Sequence, residues 1–187
     1  MTDLELVRAA GRGDRAAFEA LVRSHYDSAR ALGARLAGGD EAGEEAVQRA
    51  FVRAHAALAE FRGESSFRTW LFRIVMNEAC GAGREAERRE RMARSAAAAG
   101  VPGRRSAFPD PADAAEAADL AERVREELVR LPSKARAALT LVMDHGMDYR
   151  EIAELLGCSY DAVKVHICQA RRKLKDRLRE YLGPSPE

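Results

Sequence analysis

Apolar residues recur along most of this chain at steps of three and four, the period of one face of an α-helix. Thr2 and Glu5 have the spacing of a capping box for a short first helix that ends at Gly11 and Gly13. Asp14 then opens a second helix, one face of which carries Phe18, Leu21, Val22, Tyr26, Ala29, Leu32 and Leu36. Gly38 and Gly39 stop it, and Asp40 is expected to cap a third helix with the stripe Val47, Phe51, Ala54 and Leu58. Beyond Phe61-Arg62-Gly63-Glu64, either Ser65 or Ser66 can cap a fourth, bearing Phe67, Trp70, Leu71, Ile74 and Val75.

The period fails over SAAAAGVPGRRSAFPDPAD, which holds three of the six prolines and two glycines. It resumes with Leu120, Val124, Leu128 and Leu131, and Pro132 suits the first turn of a helix containing Leu139, Val142 and Met143. The first 101 residues contain no proline at all, which favours helix throughout. No strand-like alternation and no internal repeat appear. The pattern predicts an all-α chain of two small helical domains, residues 1–94 and 118–183, on a flexible acidic linker, residues 95–117.

Composition adds boundaries. No run of about 18 apolar residues exists, so no membrane insertion is expected. The start, MTDLELVRAAGRGD, has acids where a secretory signal needs a basic end and an apolar core. Three cysteines, Cys80, Cys158 and Cys168, make neither a CxxC pair nor an even disulfide framework, which suits the cytoplasm.

The net charge of +1 hides its own distribution. Residues 38–60 hold five acids against Arg49 and Arg53, whereas residues 61–94 hold eight Arg against five Glu. Residues 106–122 hold five acids and no base, and residues 161–182 hold seven bases against three acids. Two basic and two acidic blocks therefore cancel. Blocks of one sign suit partners of the opposite sign, or a solvated face.

Residues 148–179, DYREIAELLGCSYDAVKVHICQARRKLKDRLR, are the most informative stretch. Asp148 and Glu151 have capping-box spacing for a helix from Tyr149 to Leu156; Gly157 permits a turn, and Ser159 can cap the next helix. Ala153, Gly157 and Val163 are spaced as a helix-turn-helix requires: a small residue at the crossing, a turn glycine, an apolar lock. With Ile152, Leu155, Val163 and Ile167 in the core, Tyr160, Asp161, Lys164, Val165 and Cys168 face outward near the start of the second helix. That end of a helix-turn-helix reaches base edges in the major groove. Arg171, Arg172, Lys173 and Lys175 follow, placed to meet phosphates. The bland alternative is an amphipathic hairpin with a basic, solvated end.

A second block, SSFRTWLFRIVMNEAC, sets the only tryptophan among Arg68, Arg73 and Asn77. Aromatics give unstacked bases a platform, amides read base edges and arginines hold the backbone. Trp70 can equally be core beside Phe67, Leu71 and Ile74, and burial tendencies favour that reading.

These two blocks together resemble the extracytoplasmic-function (ECF) group of bacterial sigma factors. Glu44, Glu45, Val47, Gln48, Ala50 and Phe51, followed by FRGESSFRTWLFRIVMNEA, look like that family's domain 2. Leu131-Pro132, Arg136 and the run from Tyr149 to Arg171 look like its domain 4. The resemblance implies a dissociable promoter-recognition subunit of RNA polymerase, without catalytic residue, metal or cofactor. It implies that Glu44, Glu45, Gln48 and Phe51 dock on the clamp helices of the largest polymerase subunit, with the flap region as a second contact. Glu64, Ser65, Ser66, Phe67, Trp70, Arg73 and Asn77 would capture single-stranded bases of the −10 element. Lys164, Val165 and Cys168 would face the bases of the duplex −35 element, with Ser159, Tyr160, Asp161, Gln169, Arg171 and Arg172 around them, several on phosphates. The acidic linker would thread the RNA-exit path, and an anti-sigma factor is a further implied partner. Arg49, Gly81, Ala162 and Gln169 stand where the family usually has an acid, Asp or Asn, Thr, and Arg. Cys168 reads as a small packing residue rather than a redox handle.

Two other classes compete. A helix-turn-helix regulator would use residues 1–94 for sensing or dimerisation and bind duplex DNA without polymerase. A helical enzyme would need a catalytic constellation. Yet His25, His55, His145 and His166 are scattered, and no phosphate loop, zinc spacing or nucleophile–base motif accompanies them.

Overall fold

The computed structural model describes the backbone of residues 1–96 and 112–182, and the side chains of residues 1–81 and 120–179. Among the described residues the fold is all-α. The helices are α1 (Asp3–Ala10), α2 (Arg15–Ala37), α3 (Asp40–Ala57), α4 (Phe67–Ala96), α5 (Ala112–Val129), α6 (Ser133–Met143), α7 (Tyr149–Leu156) and α8 (Tyr160–Leu182), with a 3₁₀ turn at Leu58–Glu60.

The first four helices pack around Leu21, Leu32, Leu36, Val47, Leu71, Phe72 and Val75, all fully buried. Truncating one such leucine to alanine costs about 2–5 kcal/mol. The α1 capping box forms as its spacing predicts, and Asp3 holds the buried His25 ring of α2 at 2.8 Å. Helices α2 and α3 cross at Gly33 and Gly43. A Cβ at Gly43 would lie 2.4 Å from the Ala34 amide nitrogen, so the crossing brings backbone against backbone.

Helices α6, α7 and α8 pack around Leu141, Ile152 and Val163, and α5 lies across α8. Arg177 of α8 donates to Glu127 of α5 at 2.9 Å. The buried Arg136 donates to the Val129 carbonyl at 3.1 Å, meeting an acceptor that the end of α5 cannot satisfy internally.

Three boundaries differ from expectation. Gly39, not Asp40, is the N-cap of α3 and offers no side-chain bond; Asp40 is instead a first-turn acid at the positive helix end. Pro132 is itself the N-cap of α6, one residue outside the first turn. Helix α4 runs to Ala96 and α5 starts at Ala112, so both enter the expected 95–117 linker, whose residues 97–111 lie outside the described residues.

Candidate nucleic-acid interface

The α7–α8 pair is a helix-turn-helix built from its own local bonds. Asp148 Oδ1 accepts from the amides of Arg150 and Glu151 at 2.7 and 2.9 Å, and Glu151 Oε2 accepts from the Asp148 amide at 3.1 Å. At the other end Gly157 turns left-handed (φ 59°), and the Cys158 amide closes on the Ala153 carbonyl at 3.0 Å. The left-handed turn brings an otherwise orphaned amide onto a last-turn carbonyl, which ends the helix sharply. Ser159 Oγ then accepts from the Ala162 amide at 3.2 Å, starting α8.

Ile152, Leu155, Val163 and Ile167 are buried, as the spacing predicts, and Ala153 is buried at the crossing. Ser159, Tyr160, Asp161, Lys164, Val165, Cys168, Gln169, Arg171 and Arg172 are all exposed on α8 or just before it. Lys164 is held on this face: its Nζ lies 3.4 Å from Asp161 Oδ1 and 4.5 Å from the Tyr160 ring centre. A shallow groove beside it is lined by Tyr149, Lys164, Cys168, Arg171, Arg172 and Lys175. Such a face offers one cation toward base edges and several toward a phosphate strand. Cys168 is exposed rather than packed within the protein, because its α8 position points away from α7.

The second block is built on an aromatic cluster. Phe61, Phe67 and Trp70 have ring centres 5.3–6.2 Å apart, and His25 adds a ring 5.2 Å from Phe67. Ser66, rather than Ser65, caps α4, its Oγ accepting from the Thr69 amide at 3.1 Å. Phe67 is 3% exposed and packs inside this cluster, between His25 of α2 and Phe61. Trp70 is half-buried in the same cluster, while Glu64, Ser66, Arg73 and Asn77 are exposed and Ser65 is half-buried.

The expected polymerase-facing residues divide similarly. Glu45 and Gln48 are exposed on α3. Glu44 is half-buried and accepts a short hydrogen bond from the Tyr26 hydroxyl, which pushes the phenol's pKa up. Phe51 is buried and stacks on Tyr26 at 6.2 Å, beneath the exposed face of α3.

Sequence reasoning missed several contacts between distant helices. Glu78 of α4 receives Arg49 and Arg53 of α3 at 3.2 and 3.0 Å. Arg68 reaches the His145 carbonyl at 2.8 Å, and Arg35 pairs with Asp144 at 3.1 Å. No sequence period signals bonds between helices so far apart in the chain. Arg73, expected on DNA, donates to the Glu154 carbonyl of α7 at 3.1 Å.

The Sigma-70 region 2 family model matches residues 21–89, from α2 to the middle of α4, and the Sigma-70 region 4 model matches residues 121–174, from α5 into α8. The ECF RNA polymerase sigma-E factor of Escherichia coli strain K12 is 30% identical over 186 residues, 97% of each chain. The chain belongs to the ECF sigma factors. As an ECF sigma factor it is an alternative sigma factor that acts in transcription initiation. The RNA polymerase sigma-H factor of Pseudomonas aeruginosa is similarly 30% identical over 184 residues, covering 96% of this sigma factor and 95% of that one. Among solved structures, CnrH in complex with the cytosolic domain of CnrY matches with a TM-score of 0.69 at 32% identity, over 95% of this chain and 97% of that one. RpoE from Bartonella quintana, solved with the anti-sigma factor NepR, shares the fold: TM-score 0.66, 23% identity, over 87% and 96% of the two chains. Among the described residues of this ECF sigma factor, no helix is long and apolar enough to cross a membrane.

Proposed function

We propose that this sigma factor reads two promoter elements with its two helical groups while docked on RNA polymerase in the cytoplasm. Residues 118–183 take the duplex −35 element: Lys164, Val165 and Cys168 meet base edges, and Ser159, Tyr160, Gln169, Arg171 and Arg172 hold phosphates. Residues 1–94 take the melted −10 strand through Glu64, Ser65, Ser66, Arg73 and Asn77 around the Trp70 cluster. Binding bases that have left the stack stabilises the open duplex without any bond-making step. Glu45 and Gln48, with Glu44 beneath them, face the polymerase clamp helices, and the flap region contacts the second helical group. An anti-sigma factor is the proposed antagonist.

The observation that carries this reading is the α8 face, where a held lysine stands among exposed residues at the helix start and cations continue along the same helix. Run-off transcription with purified core RNA polymerase on a promoter library tests it. Specific initiation that needs both the chain and core enzyme is the expected result. Duplex binding by the chain alone, with no association with core and no initiation, would instead indicate a free-standing regulator.

A further inference from the structure

We propose that Glu78 of α4 is a positioning residue for polymerase docking: by drawing Arg49 away from Glu45, it leaves the Glu45 carboxylate free for the partner. The inference rests on the docking face proposed above and adds to it a residue from a different helix. Helix α3 carries the acids Asp40, Glu41, Glu44 and Glu45 and the arginines Arg49 and Arg53. Both arginines turn to one carboxylate outside the helix. Arg49 Nε donates to Glu78 Oε2 at 3.2 Å, and Arg53 Nε lies 3.0 Å from Glu78 Oε1. Arg49 Nη1 also donates to Glu45 Oε2 at 3.3 Å.

Two carboxylates therefore share one guanidinium, and their surroundings differ. The Glu78 side chain is 11% exposed and the Glu45 side chain 65%. Water and salt weaken an ion pair most where its groups are solvated, so Glu78 holds Arg49 more firmly than Glu45 does. Each Glu78 oxygen takes one arginine, and Arg53 thereby keeps Oε2 turned toward Arg49. Arg53 itself stands about two turns beyond Glu45, about 12 Å along the helix, too far to pair with it.

Among the described residues, Glu45 is the other carboxylate that Arg49 touches. The two stand at i and i+4 with the acid N-terminal, the favourable order on a helix. Once Glu78 loses its charge, Arg49 closes on Glu45 and neutralises the exposed acid that neighbours Gln48. A docking face with one charge masked meets a cationic partner more slowly and holds it less tightly. Glu78 touches no partner in this scheme and acts only through Arg49.

The test titrates core RNA polymerase against the labelled full chain and its variants Glu78→Gln, Arg49→Gln, the two combined, and Glu45→Gln, in 0.1 M and 0.5 M salt. Denaturant unfolding of each variant runs beside it. Glu78→Gln is expected to weaken core association about two- to fivefold in 0.1 M salt, the size of one exposed ion pair, and by less in 0.5 M. Arg49→Gln should stay within about twofold of the wild type, and adding it to Glu78→Gln should restore association to that level. A brace between α3 and α4 would instead lose stability and binding in both single variants and gain nothing from their combination. Where Glu78→Gln proves too unstable to titrate, Glu78→Asp, which shortens the reach to Arg49 by one methylene, must show the same rescue by Arg49→Gln. Glu45→Gln should weaken core association in the wild-type chain and add no further loss to Glu78→Gln. Full core affinity in Glu78→Gln, equal loss in Arg49→Gln, or no rescue in the double variant overturns the role of Glu78; weakened binding by Glu45→Gln then leaves the docking face standing. Full affinity in Glu45→Gln refutes the docking face and the role of Glu78 together.

Discussion

Arg68 and His145 meet across 77 residues of chain, the guanidinium of one donating to the backbone carbonyl of the other. The bond fixes a helix from the first half of the protein against a turn from the second. Its acceptor is a main-chain oxygen, so changing the His145 side chain leaves the bond available. That separation lets backbone and imidazole be tested independently.

Burial lowers the His145 pKa from its ordinary 6.5; the nearby Arg68 cation acts in the same direction, and Asp144 opposes them. The folded chain therefore prefers the neutral ring, and the unfolded chain, with a solvated ring, binds protons more readily. The stability that burying this ring allows should be complete above about pH 6.5 and fall as the pH drops through and below that value. Denaturant unfolding from pH 8 to 5 should show stability lost on the acid side. His145→Gln should flatten this profile while keeping the Arg68 bond.

Gly43→Ala should destabilise the first helical group by about 1–3 kcal/mol, since the added methyl meets the Ala34 backbone and no side chain can swing aside. Denaturant unfolding measures it. A neutral result would mean that α2 and α3 can move apart far enough to admit a methyl group without loss.

Lys164→Ala should weaken discrimination at the −35 element by about 1–3 kcal/mol while leaving association with core polymerase unchanged. Competition binding of the holoenzyme to promoter variants reads the first quantity, and core titration reads the second. Equal loss of both would remove Lys164 from base recognition.

Gln48→Ala and Phe51→Ala should separate a surface role from a packing role on α3. Gln48 is exposed, and its loss should weaken core binding at unchanged stability. Phe51 is buried on Tyr26, and its loss should cost about 3–5 kcal/mol of stability before any effect on binding is read. Thermal melts beside core titrations distinguish them.

Local chemistry was legible in the sequence because each signal is contained within a few residues. Thr2 with Glu5, Asp148 with Glu151, and Ser159 before α8 all cap the helices their spacing predicts. The buried stripe and exposed face of α8 likewise follow from helical period alone. Phe51 and Phe67 were harder to place. Each belongs to an apolar stripe and to a family contact motif, and its burial depends on Tyr26 or His25, which come from another helix.

The sequence by itself determined an all-helical chain with a helix-turn-helix near its end and charge sorted into blocks that cancel. Those properties follow from backbone hydrogen bonding and side-chain period, which act over one or two turns. Only the tertiary structure decided that Arg49 and Arg53 converge on Glu78, and that Arg35, Arg68 and Arg73 reach Asp144 and two carbonyls of the second half. A carbonyl oxygen is present at every residue, so the sequence carries no mark of which one a distant arginine will find. The meeting is set by how whole helices pack.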